Sequence, residues 1–327
     1  MDEFERIDRL IAPLASGHPG TYGLANDGAV FACSAGNELV LTKDMMAEGV
    51  HFLPDDPPDL VARKLLRTNL SDLAAMGAAA RGYLLGLALD ANRDDTWIAS
   101  FFSGLAQDQE IFGITLLGGD TILSERGVLT LSLTAIGEVA AGRALTRSGA
   151  QAGDIVAVSG TIGDSALGLM VLQEKLAALG PQSAAFLGDR YRLPQPRLAL
   201  GAALIGLARA ALDVSDGLLA DAGHIARRSG LRVELDWPQV PLSAAAREAV
   251  DARPDLRGNI VAGGDDYELL FTLPEAHWPD IERLALVCDT PVTRIGRCVA
   301  GEGVALLDAG GAELATFMRG WRHGSRE

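Results

Sequence analysis

The sequence predicts a protein of the α/β or α+β class with two domains. The chain has 327 residues, which at roughly 100–200 residues per domain corresponds to two domains. Strand-like and helix-like patterns are mixed in both halves. A stretch rich in Gly, Ala and polar residues, 141–154, lies between the halves, and we therefore place the domains at residues 1–142 and 143–327.

The N-terminal half contains helix patterns and strand patterns in alternation. Apolar residues at helical spacing predict a short amphipathic helix at 3–15 and longer helices at 59–80 and 94–112. The first two strand patterns, 29–35 and 38–46, flank a Gly-Asn turn and predict a hairpin. The remaining strand patterns are YLLGLAL, ITLLGG running into a glycine turn, and VLTLSLTAIGEV.

The C-terminal half shows the same mixture. Its strand patterns are IVAVSG, ALDVS, LRVELD and ELLFTL, followed by closing strands. Its helix patterns lie at 163–176, 197–209, 217–229, 243–251 and 275–285. Neither half contains a short repeat or a low-complexity tract, so both are expected to bury ordinary cores.

Charge and composition exclude several classes of protein. The formal net charge of −15 disfavours nucleic acid and anionic membranes as main partners. The acidic, amphipathic N-terminus does not resemble a signal peptide, and no apolar stretch reaches the roughly 18 residues of a membrane span, so we expect a cytoplasmic protein. The cysteines, Cys33, Cys288 and Cys298, are odd in number and form no C-x-x-C pair, so neither a disulfide framework nor a zinc site is expected.

Aspartates next to Gly, Ser, Thr or Asn recur at predicted strand ends and helix starts. They are Asp27, Asp44, Asp72, Asp120, Asp213, Asp216, Asp265 and Asp266. Taken singly, each is more readily explained as a helix cap or turn residue, because a carboxylate accepts backbone N–H groups there. Asp72 departs from this explanation because it lies inside a predicted helix. Asp120 and Asp213 depart from it because each follows a strongly apolar strand.

Taken together, the aspartates predict a phosphate site with several metal ions. Ligand crevices in α/β folds form at strand ends, and carboxylates that converge there repel one another unless cations neutralise them. Mg²⁺ prefers carboxylate and water oxygens and keeps positions for substrate phosphates. Neither a P-loop nor the protein-kinase signature set is present, so a nucleotide would be bound in another way. Gly118-Gly119 and Gly263-Gly264 are places where the backbone could approach a phosphate.

Few basic or aromatic residues are candidates for ligand binding. Arg147, near the domain boundary, could clamp a phosphate or form a surface salt bridge. His51 could contact a ligand or be structural. Trp321 could stack on a flat cation or lie in the core.

Seven motifs in a fixed order resemble those of the thiamine-monophosphate kinases. They are TKDMMAEGVHF, NLSDLAAMGA, GGDT, ALTRSGAQAGD, GDSALGL, DVSDGL and GGDDYELLF. The superfamily includes aminoimidazole ribonucleotide synthetase and selenophosphate synthetase, and the resemblance spans roughly residues 3–323. It implies an N-terminal α/β domain that binds ATP and Mg²⁺ and dimerises by joining sheets, and a C-terminal α/β domain that closes the active-site cleft. It also implies a homodimer that transfers the γ-phosphoryl group of ATP directly onto thiamine monophosphate, giving thiamine diphosphate.

The resemblance further implies roles for the residues that match the family's motifs. Mg²⁺-ligand positions, for several ions, are matched by Asp27, Thr42, Asp44, Asp72, Asp120, Asp213 and Asp216. Nucleotide-binding positions are matched by Gly119, Asp120, Arg147 and Ser215, and positions near the thiamine phosphate by His51, Asp265 and Trp321. The catalytic positions among them are Asp72, Asp120 and Arg147.

Two positions depart from the family's pattern. The family's G-D-D-A-A turn reads Ala-Asn26-Asp27-Gly-Ala here, and Lys43 precedes Asp44 where the family has Thr or Ser. If this position binds a metal ion through the side-chain hydroxyl of Thr or Ser, that ligand is lost with Lys43. If it binds the ion through its backbone carbonyl, the ligand is kept. The family usually has Glu at the position of Asp265.

Two other functions are compatible with the same motifs. One is that of another ATP-using superfamily member with a different acceptor, and the other is non-catalytic binding of a nucleotide or divalent cation. His51, Asp265 and Trp321 favour the thiamine enzyme. Cys33 lies inside a strand pattern and does not suit the reactive cysteine that selenophosphate synthetase needs.

Overall fold

A computed structural model describes residues 3–90, 93–124, 127–176 and 179–315. These residues form two compact units. The first contains the described residues up to Leu73 together with Ala78–Gly142, and the second contains Ala74–Gly77 together with the described residues from Arg143 onward. Trp321 lies outside the described residues.

The first unit is built on a four-stranded sheet with strand order β1-β4-β2-β3. Its elements in chain order are α1 (Glu3–Arg6), α2 (Ala12–Ala15), β1 (Asn37–Ala47), α3 (Pro58–Ala75), β2 (Ala79–Asp90), α4 (Asp95–Phe112), β3 (Thr115–Ser124) and β4 (Thr130–Ala140). The β2–β3 pair is parallel and the other pairs are antiparallel. Strands β1 and β3 are therefore the two edges of the sheet.

One face of this sheet is buried and the other is largely exposed. On β4, Leu131, Leu133 and Ala135 are fully buried, and they alternate with half-buried residues. This alternation is typical of an antiparallel strand whose one face packs on a core. On the opposite face of β1, Leu39 and Leu41 are 45% and 63% exposed. The exposed face therefore carries apolar side chains that the described part of the chain leaves uncovered.

Helix α3 ends five residues earlier than the predicted helix, at Ala75 rather than at 80. Gly77 adopts a left-handed φ of 70°. The N–H of Ala78 donates to the carbonyl of Leu73 (2.8 Å), and the N–H of Gly77 donates to that of Ala74 (3.0 Å). These two bonds form a Schellman motif, which satisfies the last carbonyls of the helix and stops it. Strand β2 begins two residues after Gly77, at Ala79.

Two further predictions for the first unit are wrong. Within the described chain, residues 29–35 belong to no strand, because β1 pairs along its length with β4 and leaves the expected hairpin without a ladder. The glycine turn predicted after ITLL is also absent, since Gly118 and Gly119 continue β3 beside β2. A Cβ on Gly119 would lie 2.0 Å from the carbonyl oxygen of Leu85, so this glycine permits close approach of the strands.

The second unit is built on a six-stranded mixed sheet with order β10-β7-β9-β5-β8-β6. Its elements are β5 (Ile155–Ser159), α5 (Asp164–Leu172), α6 (Pro181–Arg192), α7 (Leu198–Ala203), β6 (Ala210–Asp213), α8 (Leu218–Ser229), β7 (Arg232–Asp236), α9 (Ala244–Ala252), α10 (Arg257–Ala262), β8 (Leu269–Leu273), α11 (Trp278–Val287), β9 (Val292–Val299) and β10 (Gly303–Leu307). Most predicted elements are present, but α7 is shorter than the helix expected at 197–209.

Both faces of this second sheet are covered. Val156 and Val158 of β5 belong to one apolar cluster, whereas Ile155 and Ala157 belong to another. The continuous apolar run of β5 is explained by this burial on both sides. No helix among the described residues combines the length and apolarity needed to cross a membrane.

Candidate functional site

Thr42 and Asp72 meet where β1 faces α3. The hydroxyl of Thr42 donates a short hydrogen bond to Oδ2 of Asp72. Both side chains are half-buried, and Asp72 lies within α3 as the sequence predicts. A carboxylate in the body of a helix cannot serve as its cap, so Asp72 is available for a role outside helix formation.

Asp44 lies two residues beyond Thr42 and on the same face of β1. It lies inside β1, within the strand predicted at 38–46, rather than at a strand end. Its backbone N–H donates to Oδ1 of Asn69 (3.2 Å), and Nδ2 of Asn69 donates to the carbonyl of Leu65 (2.9 Å). Asn69 is fully buried, so α3 fixes the backbone of β1 at Asp44 as well as the side chain at Thr42.

Asp27 and Asp120 line one cavity of about 180 Å³ together with Asn26, Gly118 and Gly119. Both carboxylates are exposed. Asp120 lies in the middle of β3 rather than at its end, and its position in the ladder is opposite Gly86 of β2. The cavity therefore combines two acids with a glycine-lined stretch of backbone.

The first unit thus brings its predicted metal ligands together in two groups rather than one. Thr42, Asp44 and Asp72 lie at the β1 edge, whereas Asp27 and Asp120 lie at the β3 edge. Strands β4 and β2 separate the two edges. The sequence suggests that the aspartates converge on one phosphate site, and this convergence stays a prediction.

His51 lies in a tight turn after β1. Its Nδ1 accepts the backbone N–H of Ala47 (3.1 Å), which places the proton of the neutral ring on Nε2. The carbonyl of His51 accepts a hydrogen bond from Nζ of Lys64 (3.0 Å), and Lys64 is 2% exposed. The orientation of His51 is therefore fixed from both its ring and its backbone.

In the second unit, the loop that follows β6 is hydrogen-bonded to the loop that precedes β8. Asp213 is the buried last residue of β6. In the loop that follows, the carbonyl of Ser215 accepts the N–H of Asp265 (2.9 Å), and the carbonyl of Val214 accepts that of Tyr267 (2.8 Å). A Cβ on Gly264 would lie 2.1 Å from the carbonyl oxygen of Ser215. The loops that carry Asp213, Ser215, Asp216 and Asp265 are thus held against each other.

Asp216, Asp221 and His224 form a cluster whose ligand atoms lie within 4.8 Å of one another. Burial, together with the negative charge of Asp216, raises the pKa of Asp221 to about 7. Arg147 opposes this rise. Burial lowers the pKa of His224, and the positive charge of Arg147 lowers it further. Arg147 therefore lies near the predicted metal and nucleotide residues of this unit, and its own side chain is exposed.

The acids beside this cluster have structural partners. Asp266 is buried and accepts the N–H groups of Gly163 (2.7 Å) and Ser165 (3.2 Å) at the start of α5. Glu268 is fully buried and pairs with Arg190 (3.0 Å) and Arg197 (2.6 Å). Asp266, one of the aspartates from which the phosphate site was predicted, therefore accepts backbone N–H groups at a helix start, and the resemblance assigned it no individual role.

Residues that support the site were missed from the sequence, namely Lys64, Asn69, Asp221 and His224. The sequence could have drawn attention to Lys64 and Asn69, because a lysine and an asparagine on the buried face of an amphipathic helix require partners. Those partners lie in other elements, so their identity could not be read from spacing.

Two family models match the chain along most of its length. AIR synthase related protein, N-terminal domain, matches residues 25–139, and AIR synthase related protein, C-terminal domain, matches residues 151–307. The fold and these matches define the class: a two-domain protein of the AIR synthase-related type. The predicted fold class is confirmed.

Proteins of similar sequence identify the family within this class. The chain is 43% identical to the thiamine-monophosphate kinase of Caulobacter vibrioides, covering 98% of this chain and 91% of the relative. It is 40% identical to that of Escherichia coli K12, covering 92% of this chain and 91% of the relative. The chain belongs to the thiamine-monophosphate kinase family, as the motifs indicated.

Solved structures agree with this result. The thiamine-monophosphate kinase from Stenotrophomonas maltophilia K279a superposes with a TM-score of 0.84 at 40% identity, covering 91% of this chain and 95% of that chain. AaThiL complexed with AMPPCP and TMP superposes with a TM-score of 0.78 at 31% identity, covering 93% and 97%. The E. coli hydrogenase maturation protein HypE, at 19% identity and a TM-score of 0.78, shares the fold.

Proposed function

We propose that this chain transfers the γ-phosphoryl group of ATP to thiamine monophosphate and forms thiamine diphosphate. The relatives of 40% and 43% identity are thiamine-monophosphate kinases over nearly their whole length. The observation that carries the proposal is the similarity, over 93% of the chain, to AaThiL complexed with AMPPCP and TMP. AMPPCP is an ATP analogue, so that complex pairs a phosphoryl donor analogue with the acceptor. The reaction class is transfer to a phosphate acceptor.

Magnesium is the metal that the donor atoms of this chain suit. At the β1 edge the donors are the Thr42 hydroxyl and the Asp44 and Asp72 carboxylates, and at the β3 edge they are the carboxylates of Asp27 and Asp120. All are oxygen donors, which Mg²⁺ prefers over nitrogen or sulfur. In the second unit we assign Asp213 and Asp216 as ligands and leave out His224, whose imidazole suits softer metals. When bound, Mg²⁺ neutralises phosphate charge and orients the phosphates.

The reaction requires positioning more than proton transfer. The attacking atom is a phosphate oxygen that is already anionic at neutral pH, so no strong general base is needed. We assign Arg147 to the phosphates of the nucleotide, because its exposed guanidinium lies near the Asp216 cluster and can bind phosphate oxygens bidentately. Gly119 and Ser215 are assigned to the nucleotide as well. His51, Asp265 and Trp321 are assigned to thiamine monophosphate.

We also propose a homodimer formed through the first unit. The face of its sheet that carries Leu39 and Leu41 also carries Met45, Leu84 and Ile122, which are 55%, 42% and 57% exposed. Exposed apolar patches of this kind mark protein interfaces, and the two edge strands lack neighbours within the described chain. Light scattering tests this proposal: Leu41→Glu should shift the protein to monomer, whereas Leu286→Glu, at an 84% exposed position of the second unit, should not.

Two further points stay predictions. One is that domain 1–142 binds ATP and Mg²⁺ and dimerises, whereas domain 143–327 closes the active-site cleft. The other is a cytoplasmic location without nucleic-acid or membrane partners. The acidic charge of −15 supports the latter.

A steady-state assay of ATP consumption tests the proposed activity. The purified protein with Mg²⁺ should consume ATP when thiamine monophosphate is added and consume little without it. Consumption that does not respond to thiamine monophosphate but does respond to another acceptor would point to a different superfamily activity. No consumption with any acceptor would point to a binding protein.

A further inference from the structure

Asp221 of α8 is tied to the backbone of the loop that carries Ser215 and Asp216. Its Oδ2 accepts the N–H of Ser215 at 3.0 Å and the N–H of Asp216 at 3.0 Å. Asp221 is 2% exposed, so the acceptor of both bonds is buried. One carboxylate oxygen therefore fixes two consecutive peptide groups at the point where the predicted nucleotide and metal residues lie.

The peptide group that Asp221 holds also contacts a second loop, the one that carries Asp265. The carbonyl of Ser215 accepts the N–H of Asp265 (2.9 Å), and Gly264 packs so closely that a Cβ would lie 2.1 Å from that carbonyl. A rotation of the Ser215 peptide would therefore displace Asp265. Gly217, at φ 110°, has its Cβ direction blocked by the carbonyl of Ala262 at 2.6 Å, so the loop has little freedom to compensate.

Asp221 lies beside Asp216, a proposed metal ligand, but its own contacts indicate a different role. The ligand atoms of Asp216, Asp221 and His224 lie within 4.8 Å of one another. The Oδ2 atom of Asp221 is already committed to two backbone donors, whereas Asp216 is half-buried and more open to solvent. This difference separates a carboxylate that holds the loop from one that can reach a bound ion.

From this geometry we infer that Asp221 is a positioning residue, which acts as a backbone hydrogen-bond acceptor and holds Ser215, Asp216 and Asp265 in register for the nucleotide and its metal. The inference rests on the proposed function for the identity of the ligand. The hydrogen bonds themselves can be tested without any ligand.

Asp221→Asn and Asp221→Ala separate hydrogen bonding from charge. The amide oxygen of Asn can still accept both N–H groups, although a neutral acceptor is weaker than a carboxylate. Alanine removes the acceptor and leaves two N–H groups without it. Asp251→Asn, at an exposed position of α9, is the matched control for loss of one acidic charge.

Amide hydrogen exchange in the ligand-free protein is the first measurement. Exchange at Ser215 and Asp216 should accelerate by about tenfold or more in Asp221→Ala and change by less than about threefold in Asp221→Asn. Unchanged exchange in Asp221→Ala would overturn the inference. If that variant does not fold, accelerated exchange of these two amides in a folded Asp221→Asn variant would overturn it as well.

Kinetics supply the second measurement. In Asp221→Ala, kcat/KM for ATP should fall by about tenfold to a hundredfold, with most of the loss restored in Asp221→Asn. If Asp221→Asn keeps its amide protection but is as inactive as Asp221→Ala, the charge or direct ligation is what matters and the inference is wrong. Failure of the unaltered protein to use thiamine monophosphate would contradict the proposed function instead, since the exchange results do not depend on it.

Discussion

The hydroxyl of Thr42, on the edge strand β1, donates a hydrogen bond to the carboxylate of Asp72, inside helix α3. The residues are 30 positions apart in the chain. Their contact joins a strand motif and a helix motif that the sequence presents separately. Because Asn69 of the same helix also holds the backbone of Asp44, α3 positions three of the proposed oxygen ligands at this edge of the sheet.

Asp72→Asn should abolish phosphoryl transfer while leaving the fold intact. The substitution keeps the volume and one acceptor oxygen but removes the charge that a metal ion requires. We expect kcat to fall by about a thousandfold or more, on the scale of losing a transition-state charge interaction. Circular dichroism and the midpoint of thermal unfolding should stay close to those of the unaltered protein. Near-normal turnover would remove Asp72 from the metal site.

Thr42→Val and Thr42→Ser test the hydrogen bond itself. Valine has nearly the same shape but cannot donate to Asp72, whereas serine can. We expect Thr42→Val to raise the Mg²⁺ concentration needed for half-maximal activity and Thr42→Ser to leave it nearly unchanged. A larger effect of Thr42→Ser than of Thr42→Val would mean that the methyl group, rather than the hydroxyl, is the important part of Thr42.

Gly119→Ala should destabilise the protein, and Gly118→Ala should not. A Cβ at Gly119 would lie 2.0 Å from the carbonyl oxygen of Leu85, whereas a Cβ at Gly118 would meet Cδ2 of Leu84 at 3.6 Å. Overpacking of this kind costs about 1–3 kcal/mol, so urea unfolding should resolve the pair. If both variants unfold like the unaltered protein, β2 and β3 do not approach as closely as described.

Asp164→Asn should change how stability depends on pH. Burial raises the pKa of Asp164 and outweighs the hydrogen bonds from Ser243 and Thr161. In the unfolded chain this carboxyl ionises near its ordinary value of about 4. Between that pH and the raised folded-state pKa, the folded protein holds the extra proton. The stability that Asp164 contributes is therefore complete below about pH 4 and declines as pH rises through the folded-state pKa.

Unfolding by urea at several pH values checks this sign. As pH rises from about 4 to 7, the free energy of unfolding of Asp164→Asn should improve relative to that of the unaltered protein, because the variant has no such group to titrate. Asp251→Asn, at an exposed position, should show no comparable change. Parallel pH curves for Asp164→Asn and the unaltered protein would mean that Asp164 ionises alike in both states.

Periodicity identified most of the fold because each unit repeats simple burial patterns. The apolar run of β5 was recognisable because both of its faces are buried. Errors arose where local pattern and chain geometry disagree. Residues 29–35 resemble a strand but have no ladder partner. The predicted helix ran past Ala75 because the end of α3 depends on the left-handed φ of Gly77. Helix α6 was not predicted; it begins at Pro181, and Pro is well suited to the first helical turn.

The candidate site was less predictable than the fold. Its charged residues could be found because aspartates beside small residues are visible in a sequence, and Asp72 stood out inside a helix. Their grouping could not be found, because it depends on strand order: β1 and β3 are opposite edges of one sheet. The prediction that Cys33 lies inside a strand is wrong, because Cys33 is exposed and belongs to no strand. It therefore gives no argument against selenophosphate synthetase, and the family is shown by the relatives instead.

Direct transfer from ATP to thiamine monophosphate can be followed through the γ-phosphoryl group itself. ATP labelled with ³²P at the γ-position is incubated with the protein, Mg²⁺ and thiamine monophosphate, and the products are separated. Direct transfer predicts that the label appears in thiamine diphosphate in proportion to the ADP formed, and that Asp72→Asn forms neither. Label found only in inorganic phosphate, with no labelled thiamine diphosphate, would contradict it.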